Sequence, residues 1–288
     1  MNGTYCAAVL SSLVMRLAVL VLFLTVPAVR AQSLVIIGGG DRPAEVVAEI
    51  VRLGRGERIV VVPAASGSPA EVGPAQAAEF VAAGFASAAV ALGHPDADST
   101  VALFDSATAV FFSGGDQNRL TAALHSTRAL EAIRALYARG GVVAGTSAGA
   151  AVMSRTMLTG DERRDAGEGE AFATVEPKNV VTAEGFGFVS WAVVDQHFAA
   201  RRRQNRLISV VLDDPDLIGV GIDEATAVVV GPDGAMRVVG AGSVQIFDAR
   251  DAHVVGRAGG FSAAGLRMHV LASGDKLTPA GTVVLAAP

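Results

Sequence analysis

The stretch Gly141-Val142-Val143-Ala144-Gly145-Thr146-Ser147-Ala148-Gly149 decides the fold of this chain. Its first four residues form an apolar run that is typical of a buried strand, and the small residues at 150–154 are compatible with a helix. Between them, the pattern G-x-S-x-G places a serine at the apex of a strand-turn-helix unit, the nucleophile elbow. We therefore expect Ser147 at the carboxyl edge of a sheet, where backbone N–H groups, including that of Ala148, stabilise an oxyanion. An ordinary glycine-rich turn is the alternative.

Upstream of this stretch, short apolar runs alternate with helical segments. The predicted strands are Leu34–Ile37, Ile59–Val62, Ala88–Leu92 and Thr108–Phe112. The predicted helices are Pro43–Leu53, Ala70–Ala83 and Ala129–Ala138. This alternation predicts a doubly wound α/β fold with a mostly parallel sheet and helices on both faces. In such folds, the functional site lies at the carboxyl ends of the strands.

The C-terminal part of the sequence is rich in glycine-punctuated β segments. Two apolar runs flank Gly231-Pro232-Asp233-Gly234, which predicts a hairpin. Further strand candidates are Ser243–Phe247, Leu266–Leu271 and Thr282–Leu285. We interpret this part as a C-terminal antiparallel β extension, so that residues 32–288 form a single domain.

The first 31 residues have the pattern of a secretory signal peptide. Arg16 precedes the short apolar core at 17–26, and Ala28-Val29-Arg30-Ala31 offers small residues at the −3 and −1 positions for cleavage after Ala31. A membrane anchor is the alternative, but the apolar core is well short of the ~20 residues that span a bilayer. The pattern predicts export, to the periplasm or the medium.

Charge and cysteine content exclude several classes of function. Removal of residues 1–31 takes away Arg16 and Arg30 and no acid, which leaves 21 basic and 28 acidic residues and a net charge of −7. An acidic protein is a poor binder of nucleic acid. The only cysteine, Cys6, lies in the predicted leader, so the mature chain has no disulfide, thiol nucleophile or cysteine metal site. No other metal-ligand cluster is visible.

Two glycine-rich segments follow predicted strands. After the fourth strand, Ser113-Gly114-Gly115-Asp116-Gln117 can supply a second oxyanion donor, with Gln117 reaching a substrate amide or carboxylate. A plain loop with Asp116 as a helix N-cap is the alternative. After the first strand, the run at 38–40 lacks the G-x-G-x-x-G spacing and a Walker lysine, which argues against a nucleotide loop. The charged segment at 160–170 is interpreted as a surface loop.

A catalytic serine needs a base and a group that orients the base. Of the five histidines, only His197 follows an apolar strand and has polar neighbours on both sides. Asp223 or Glu224, at another strand end, is the candidate acid. The resulting order, Ser-His-acid, differs from the Ser-acid-His order of α/β-hydrolases. The arginines at 201–203 and 206 suit bidentate carboxylate binding, although a solvated helix face is the simpler interpretation and nucleic acid is disfavoured.

Four blocks together resemble the cyanophycinase branch of peptidase family S51, the serine peptidase family that also contains the aspartyl dipeptidases. The blocks are Phe112–Gln117, Gly145–Ser154, Val194–Phe198 with the arginines that follow it, and Gly221–Ala227. They occur in the family's order and span most of the mature chain. The resemblance implies a serine-containing variant of the class I glutamine-amidotransferase-like fold.

The resemblance also implies roles for individual residues. Ser147 would be the nucleophile, His197 the general base and acid, and Glu224, rather than Asp223, the group that orients the histidine. The N–H groups of Gly115 and Ala148 would form the oxyanion hole. The implied substrate-binding residues are Gln117, Asp195, Gln196, Arg201, Arg203 and Arg206. The family often has glycine where this chain has Arg202 and Asn205, which changes the expected groove.

The implied substrate is cyanophycin, a poly-aspartate chain that carries arginine on its side-chain carboxyls, and the implied product is the β-Asp-Arg dipeptide. The resemblance implies no cofactor and suggests a homodimer. Two alternatives remain open: a related serine hydrolase that acts on short β-aspartyl or other aspartyl peptides, and a non-catalytic binding protein on the same fold.

Overall fold

A computed structural model describes residues 31–164 and 171–287 of the chain. Its central feature is a nine-stranded sheet with the order β17-β16-β11-β10-β1-β5-β4-β2-β3. The five parallel strands are β1 (Ser33–Ile37), β2 (Arg58–Val62), β3 (Ser87–Val90), β4 (Ala109–Phe112) and β5 (Val142–Thr146). They confirm the apolar runs predicted as strands, with shifts of one or two residues at their ends.

Seven helices accompany the strands within the described residues. They are α1 (Ala44–Leu53), α2 (Pro69–Ala82), α3 (Asp98–Asp105), α4 (Gln117–Leu124), α5 (Arg128–Ala138), α6 (Ala148–Ala151) and α7 (Gln204–Asp213). The sequence analysis predicted α1, α2 and α5 but did not bound α3, a short and weakly amphipathic helix of eight residues.

The C-terminal strands divide between two sheets. The strands β10 (Thr226–Val230), β11 (Met236–Gly240), β16 (Lys276–Leu277) and β17 (Val283–Val284) extend the central sheet in antiparallel fashion beside β1. The predicted hairpin at 231–234 joins β10 to β11 and is confirmed. The sheet predicted as mostly parallel is therefore mixed, because β10 pairs with the edge of β1 that β5 leaves open.

A second sheet has the order β15-β12-β9-β8, and two separate hairpins complete the strands. The sheet contains β8 (Ala192–Asp195), β9 (Ile218–Ile222), β12 (Val244–Asp248) and β15 (Arg267–Leu271). The hairpins are β6 (Thr156–Glu162) with β7 (Val180–Glu184), and β13 (His253–Arg257) with β14 (Gly260–Ala264).

Alternating side chains of the central sheet form a core on each of its faces. On one face, Val35 and Ile37 belong to a cluster with residues of α1 and α2. On the other, Leu34 and Ile36 belong to a cluster with residues of α4, α5 and α6 and with the second sheet. Helix α7 covers the outer face of that second sheet, where Val193 packs with Leu207. Helices thus lie on both faces of the central sheet, as predicted.

This topology brings five strand ends together. β1, β5 and β4 are parallel neighbours, so the segments that follow them leave the same edge of the central sheet. β8 and β9 are also a parallel pair, with Asp195 opposite Gly221. The residues that follow β8 and β9 are therefore side by side. The predicted site residues lie at the ends of β4, β5, β8 and β9 or in the segments that follow these four strands.

The predicted signal peptide, apart from Ala31, and residues 165–170 of the predicted surface loop lie outside the described residues. Within the described ranges, no helix combines the length and the apolarity needed to cross a membrane.

Candidate active site

Ser147 stands at the apex of a tight turn between β5 and α6, as the elbow pattern predicts. Its backbone has φ 53° and ψ −110°, a conformation that costs non-glycine residues about 1–3 kcal/mol and clusters at active sites. The N–H of Ser147 donates to the carbonyl of Ile37 at 3.0 Å. A Cβ on Gly149 would lie 2.4 Å from the carbonyl oxygen of Phe112, so the turn requires glycine there.

His197 lies between the serine and an acid. Its Nε2 is 2.9 Å from Ser147 Oγ, and its Nδ1 is 2.5 Å from Glu224 Oε1. In the tautomer that satisfies both contacts, Nδ1–H donates to the carboxylate and Nε2 accepts the hydroxyl proton. A serine in this arrangement can pass its proton to the ring as it attacks a carbonyl.

The two acids after β9 have different contacts. Glu224 holds the His197 ring, whereas Asp223 Oδ1 accepts the N–H of Ala200 at 3.0 Å. Asp223 therefore fixes the turn that carries the histidine and does not touch the ring through a hydrogen bond. Reasoning from the residues left both acids open, and the geometry favours Glu224, the residue that the resemblance implies.

Burial and charge set the protonation of the histidine. His197 is only 7% exposed, and burial lowers its pKa below the ordinary value. The positive charges of Arg201 and Arg203 lower the pKa further, while the hydrogen bond to Glu224 opposes them. The imidazole is consequently neutral at neutral pH, the form that a general base needs.

The two backbone amides predicted to form an oxyanion hole lie in the loop after β4 and in the turn after β5. A Cβ on Gly114 would lie 3.4 Å from the Cβ of Ser147, so the loop after β4 borders the nucleophile. Among the described residues, the N–H groups of Gly115 and Ala148 donate to no protein acceptor. Asp116 caps α4 by accepting from two backbone N–H groups, so the alternative interpretation of this loop also holds. An oxyanion hole at these amides stays a prediction.

Gln117 is buried and links α4 to the β6 strand. Its Nε2 donates to the carbonyls of Leu158 at 3.1 Å and Thr159 at 2.5 Å. Its amide nitrogen is therefore occupied within the protein.

Four of the predicted substrate-binding residues form an internal network, namely Asp195, Gln196, Arg203 and Arg206. Arg206 Nε donates to Asp195 Oδ2 at 2.7 Å, its second nitrogen bonds the other carboxylate oxygen, and both side chains are buried. Gln196 donates its N–H to Asp195 at 2.8 Å. One nitrogen of Arg203 donates to the carbonyl and the side-chain oxygen of Gln196, each at 2.7 Å. These groups bind one another rather than line an open pocket.

The other arginines of the cluster differ in exposure. Arg201 and Arg202 are exposed, whereas burial and the neighbouring Arg206 lower the pKa of Arg203 to about 10. Asn205 donates to the carbonyls of Phe172 and Ala173. Arg201 is therefore the predicted substrate-binding arginine that faces solvent.

The sequence analysis missed the part that residues 38–40 play at this site. A Cβ on Gly39 would lie 2.3 Å from His197 Cε1, and one on Gly40 would lie 2.9 Å from Glu224 Cβ. The signal that indicates this role is the run of three consecutive glycines directly after the central strand. Within the described residues, no group of three or more His, Cys, Asp or Glu side chains is placed to hold a metal ion.

A strained serine, a buried histidine and a glutamate joined by hydrogen bonds at the strand ends of an α/β fold have the arrangement that defines serine hydrolases. Residues 34–238 match peptidase family S51, and the chain belongs to that family.

The chain is similar to two groups of known proteins. It is 42% identical over 182 residues to a cyanophycinase of Trichormus variabilis, a match that covers 61% of this chain and 58% of the relative. It is 41% identical over 174 residues to a cyanophycinase of Synechococcus elongatus, with 58% and 52% covered. The matched region thus spans little more than half the length of these relatives.

Two solved structures share the fold. A peptidase from an acI-B1 actinobacterium superposes with a TM-score of 0.65 at 24% identity, over 87% of this chain and 98% of that one. A putative peptidase E from Listeria monocytogenes gives a TM-score of 0.50 at 14% identity, over 73% and 99%. At these identities, the likeness supports the fold alone.

Proposed function

We propose that this protein is an exported serine exopeptidase that hydrolyses cyanophycin to β-Asp-Arg dipeptides. The observation that carries the proposal is the hydrogen-bonded chain from Ser147 through His197 to Glu224. The similarity to cyanophycinases supports the choice of substrate. We further propose that residues 32–288 form one domain of the class I glutamine-amidotransferase-like type, and that the mature protein is a homodimer.

The proposed reaction proceeds through an acyl-enzyme. Ser147 Oγ attacks the scissile carbonyl carbon while His197 Nε2 takes the hydroxyl proton. The N–H groups of Gly115 and Ala148 stabilise the negative oxygen of the tetrahedral intermediate. His197 then gives its proton to the leaving amine as the C–N bond breaks. Water, deprotonated by His197, attacks the acyl-enzyme and releases the carboxylate product and the free serine.

The charges around the site suit a zwitterionic chain end. Arg201 presents an exposed guanidinium that can bind the free carboxylates of the substrate. Glu224 is 42% exposed at its side chain and contributes negative charge for the substrate's guanidinium. In this proposal Arg203, Arg206, Asp195, Gln196 and Gln117 shape the pocket and hold Arg201 and His197 in place.

The test uses the purified protein with insoluble cyanophycin, and mass spectrometry follows β-Asp-Arg release. We expect release by the wild type and none by Ser147→Ala, with the fold intact by circular dichroism. Full activity in Ser147→Ala would refute the proposed nucleophile.

A matched pair of variants identifies the acid. Glu224→Gln leaves the ring of His197 without its carboxylate, and we expect kcat to fall by roughly 10³–10⁴. Asp223→Asn keeps an oxygen that accepts the N–H of Ala200, and we expect a change of only a few-fold. Similar losses in the two variants would contradict the role of Glu224.

Arg203 and Arg206 form hydrogen bonds to other residues of the protein, which favours a second candidate. This candidate is a serine hydrolase of short β-aspartyl or other aspartyl peptides. With only Arg201 of the predicted arginines facing solvent, the site has fewer groups to hold a polymer. Cleavage of a β-Asp dipeptide, but not of the insoluble polymer, would select this candidate. Binding of β-Asp-Arg without turnover, and no labelling by a serine-directed phosphonate, would instead identify a non-catalytic binding protein.

A further inference from the structure

We infer that the backbone of the segment Ile37-Gly38-Gly39-Gly40 sets the geometry of the Ser-His-Glu site. These glycines are therefore positioning residues for its chemistry. This inference rests on the proposed function, because it assigns a role within the same site.

Three consecutive carbonyls of this segment each hold one of the three turns that carry the reacting groups. The carbonyl of Ile37 accepts the N–H of Ser147 at 3.0 Å. The carbonyl of Gly38 accepts the N–H of His197 at 2.6 Å. The carbonyl of Gly39 accepts the N–H of Ala225 at 3.0 Å. The end of β1 and the glycine bend that follows it therefore fix the relative positions of the serine, the histidine and the turn that contains Glu224.

The three donors share an unusual backbone. Ser147, His197 and Ala225 have φ values of 53°, 48° and 53°, in the left-handed region that non-glycine residues avoid. Such conformations persist only where surrounding contacts over-determine them. The hydrogen bonds to the 37–39 carbonyls supply that constraint at each of the three turns.

The side chains of the site fill the space that the glycines leave open. Gly39 is buried at φ +111°, and a Cβ there would lie 2.3 Å from His197 Cε1 and 2.4 Å from Nε2. Gly40 has φ +66°, and a Cβ there would lie 2.9 Å from Glu224 Cβ and 3.2 Å from Oε2. Gly39 thus leaves space for the ring of His197, and Gly40 leaves space for the side chain of Glu224. Any side chain at position 39 would displace the ring itself.

The test measures the rate at which a fluorophosphonate labels Ser147, which needs no peptide substrate. Oγ attacks phosphorus, fluoride leaves, and His197 takes the hydroxyl proton, so the rate reports the aligned pair. We expect Gly39→Ala to slow labelling by about 100-fold, the scale of an ångström-sized misplacement. Gly84→Ala is the matched control, because Gly84 has φ +123°, is exposed, and its nearest neighbour in the new Cβ position is Val51 Cγ1 at 3.4 Å.

A second pair of variants tests the inference if Gly39→Ala does not fold. In Gly40→Ala the new Cβ meets Glu224 Cβ at 2.9 Å and not the His197 ring, and we expect a smaller loss of about tenfold. Its control is Gly187→Ala, with φ +71° and no atom within 4 Å of the new Cβ. Both controls have positive φ values close to those of their partners, and they should label at the wild-type rate.

The pKa of His197, measured by NMR titration of its ring in each variant, separates positioning from a general loss of stability. Burial, with the charges of Arg201 and Arg203, lowers the pKa and outweighs the opposing effect of Glu224, so displacement of the ring in Gly39→Ala should raise the pKa toward its ordinary value. Gly84→Ala should leave the pKa unchanged. A folded Gly39→Ala protein with the wild-type labelling rate and wild-type His197 pKa would overturn the inference.

The failure of the proposed function has a different signature. If the wild type itself is not labelled, the serine-hydrolase proposal fails, and the His197 pKa of Gly39→Ala against Gly84→Ala still decides whether the glycines seat the ring.

Discussion

At the scale of single residues, burial lowers the pKa of His197 most, and a neighbouring positive charge lowers it further. Arg201 is exposed and lowers the pKa of His197 through its positive charge. Loss of that charge stabilises the imidazolium, so the pKa rises and a higher pH is needed to obtain the neutral ring. The acidic limb of the activity profile should then move to higher pH.

We therefore predict that Arg201→Gln shifts the acidic limb of fluorophosphonate labelling to higher pH, and that added salt shrinks the difference because the arginine is exposed. Arg202→Gln is the control, since Arg202 is also exposed and is not among the charges that shift the pKa of His197. An acidic limb that stays in place in Arg201→Gln, or that moves equally in both variants, would contradict this assignment.

The same scale shows what the sequence could specify about the site. Ser147 and His197 were predictable because each ends an apolar strand run and has polar or small neighbours. The choice between Asp223 and Glu224 was not predictable from their positions, because adjacent residues in a turn point in different directions. That direction depends on the bond from Ala200 to Asp223, a contact between separate turns.

At the scale of elements, the buried pair Asp195–Arg206 ties the end of β8 to helix α7. Both side chains are almost fully buried, the pair is bidentate, and the guanidinium also lies 5.5 Å from the ring centroid of Phe172. The segment between the two residues carries His197, so the ion pair closes the turn that presents the base.

Removal of Arg206 leaves the buried carboxylate of Asp195 with the longer ion pair to Arg203, at 3.7 Å. We predict that Arg206→Met lowers the free energy of unfolding by about 3–5 kcal/mol, measured by urea denaturation. The double variant Asp195→Leu, Arg206→Met should recover part of the loss, because apolar side chains replace both charges. Arg128→Gln, which removes an exposed ion pair with Asp98, is the control and should leave the midpoint unchanged. A single variant as stable as this control would show that the pair does not hold the turn.

Elements were predictable where a local pattern was strong. The parallel strands are continuous apolar runs, and each was located from the sequence. The placement of the C-terminal strands was not predictable, because β10 and β9 are separated by only three residues and yet belong to different sheets. That division depends on long-range pairing of β10 with β1 and of β9 with β8 and β12, which local periodicity does not encode.

At the scale of the whole molecule, the predicted cleavage point and the site lie at opposite ends of the central strand. β1 begins at Ser33, two residues after Ala31, and the carbonyls of residues 37–39 that hold the site begin at its other end. Five residues of extended strand separate the two ends by about 16 Å. Chemistry at the cleavage point is therefore remote from Ser147 and His197.

We predict that the full chain, expressed in a bacterial host, is recovered outside the cytoplasm with Gln32 at its N-terminus, as shown by intact mass. Because the only cysteine, Cys6, lies in the predicted leader, labelling of the mature protein should be the same with and without dithiothreitol. A variant with Leu20→Arg and Leu22→Arg in the apolar core should keep the leader, stay in the cytoplasm and label at the same rate when soluble.

An uncleaved wild-type product would refute export through this leader. A slower rate only in the uncleaved variant would instead show that leader removal activates the site, despite the distance that separates them along β1.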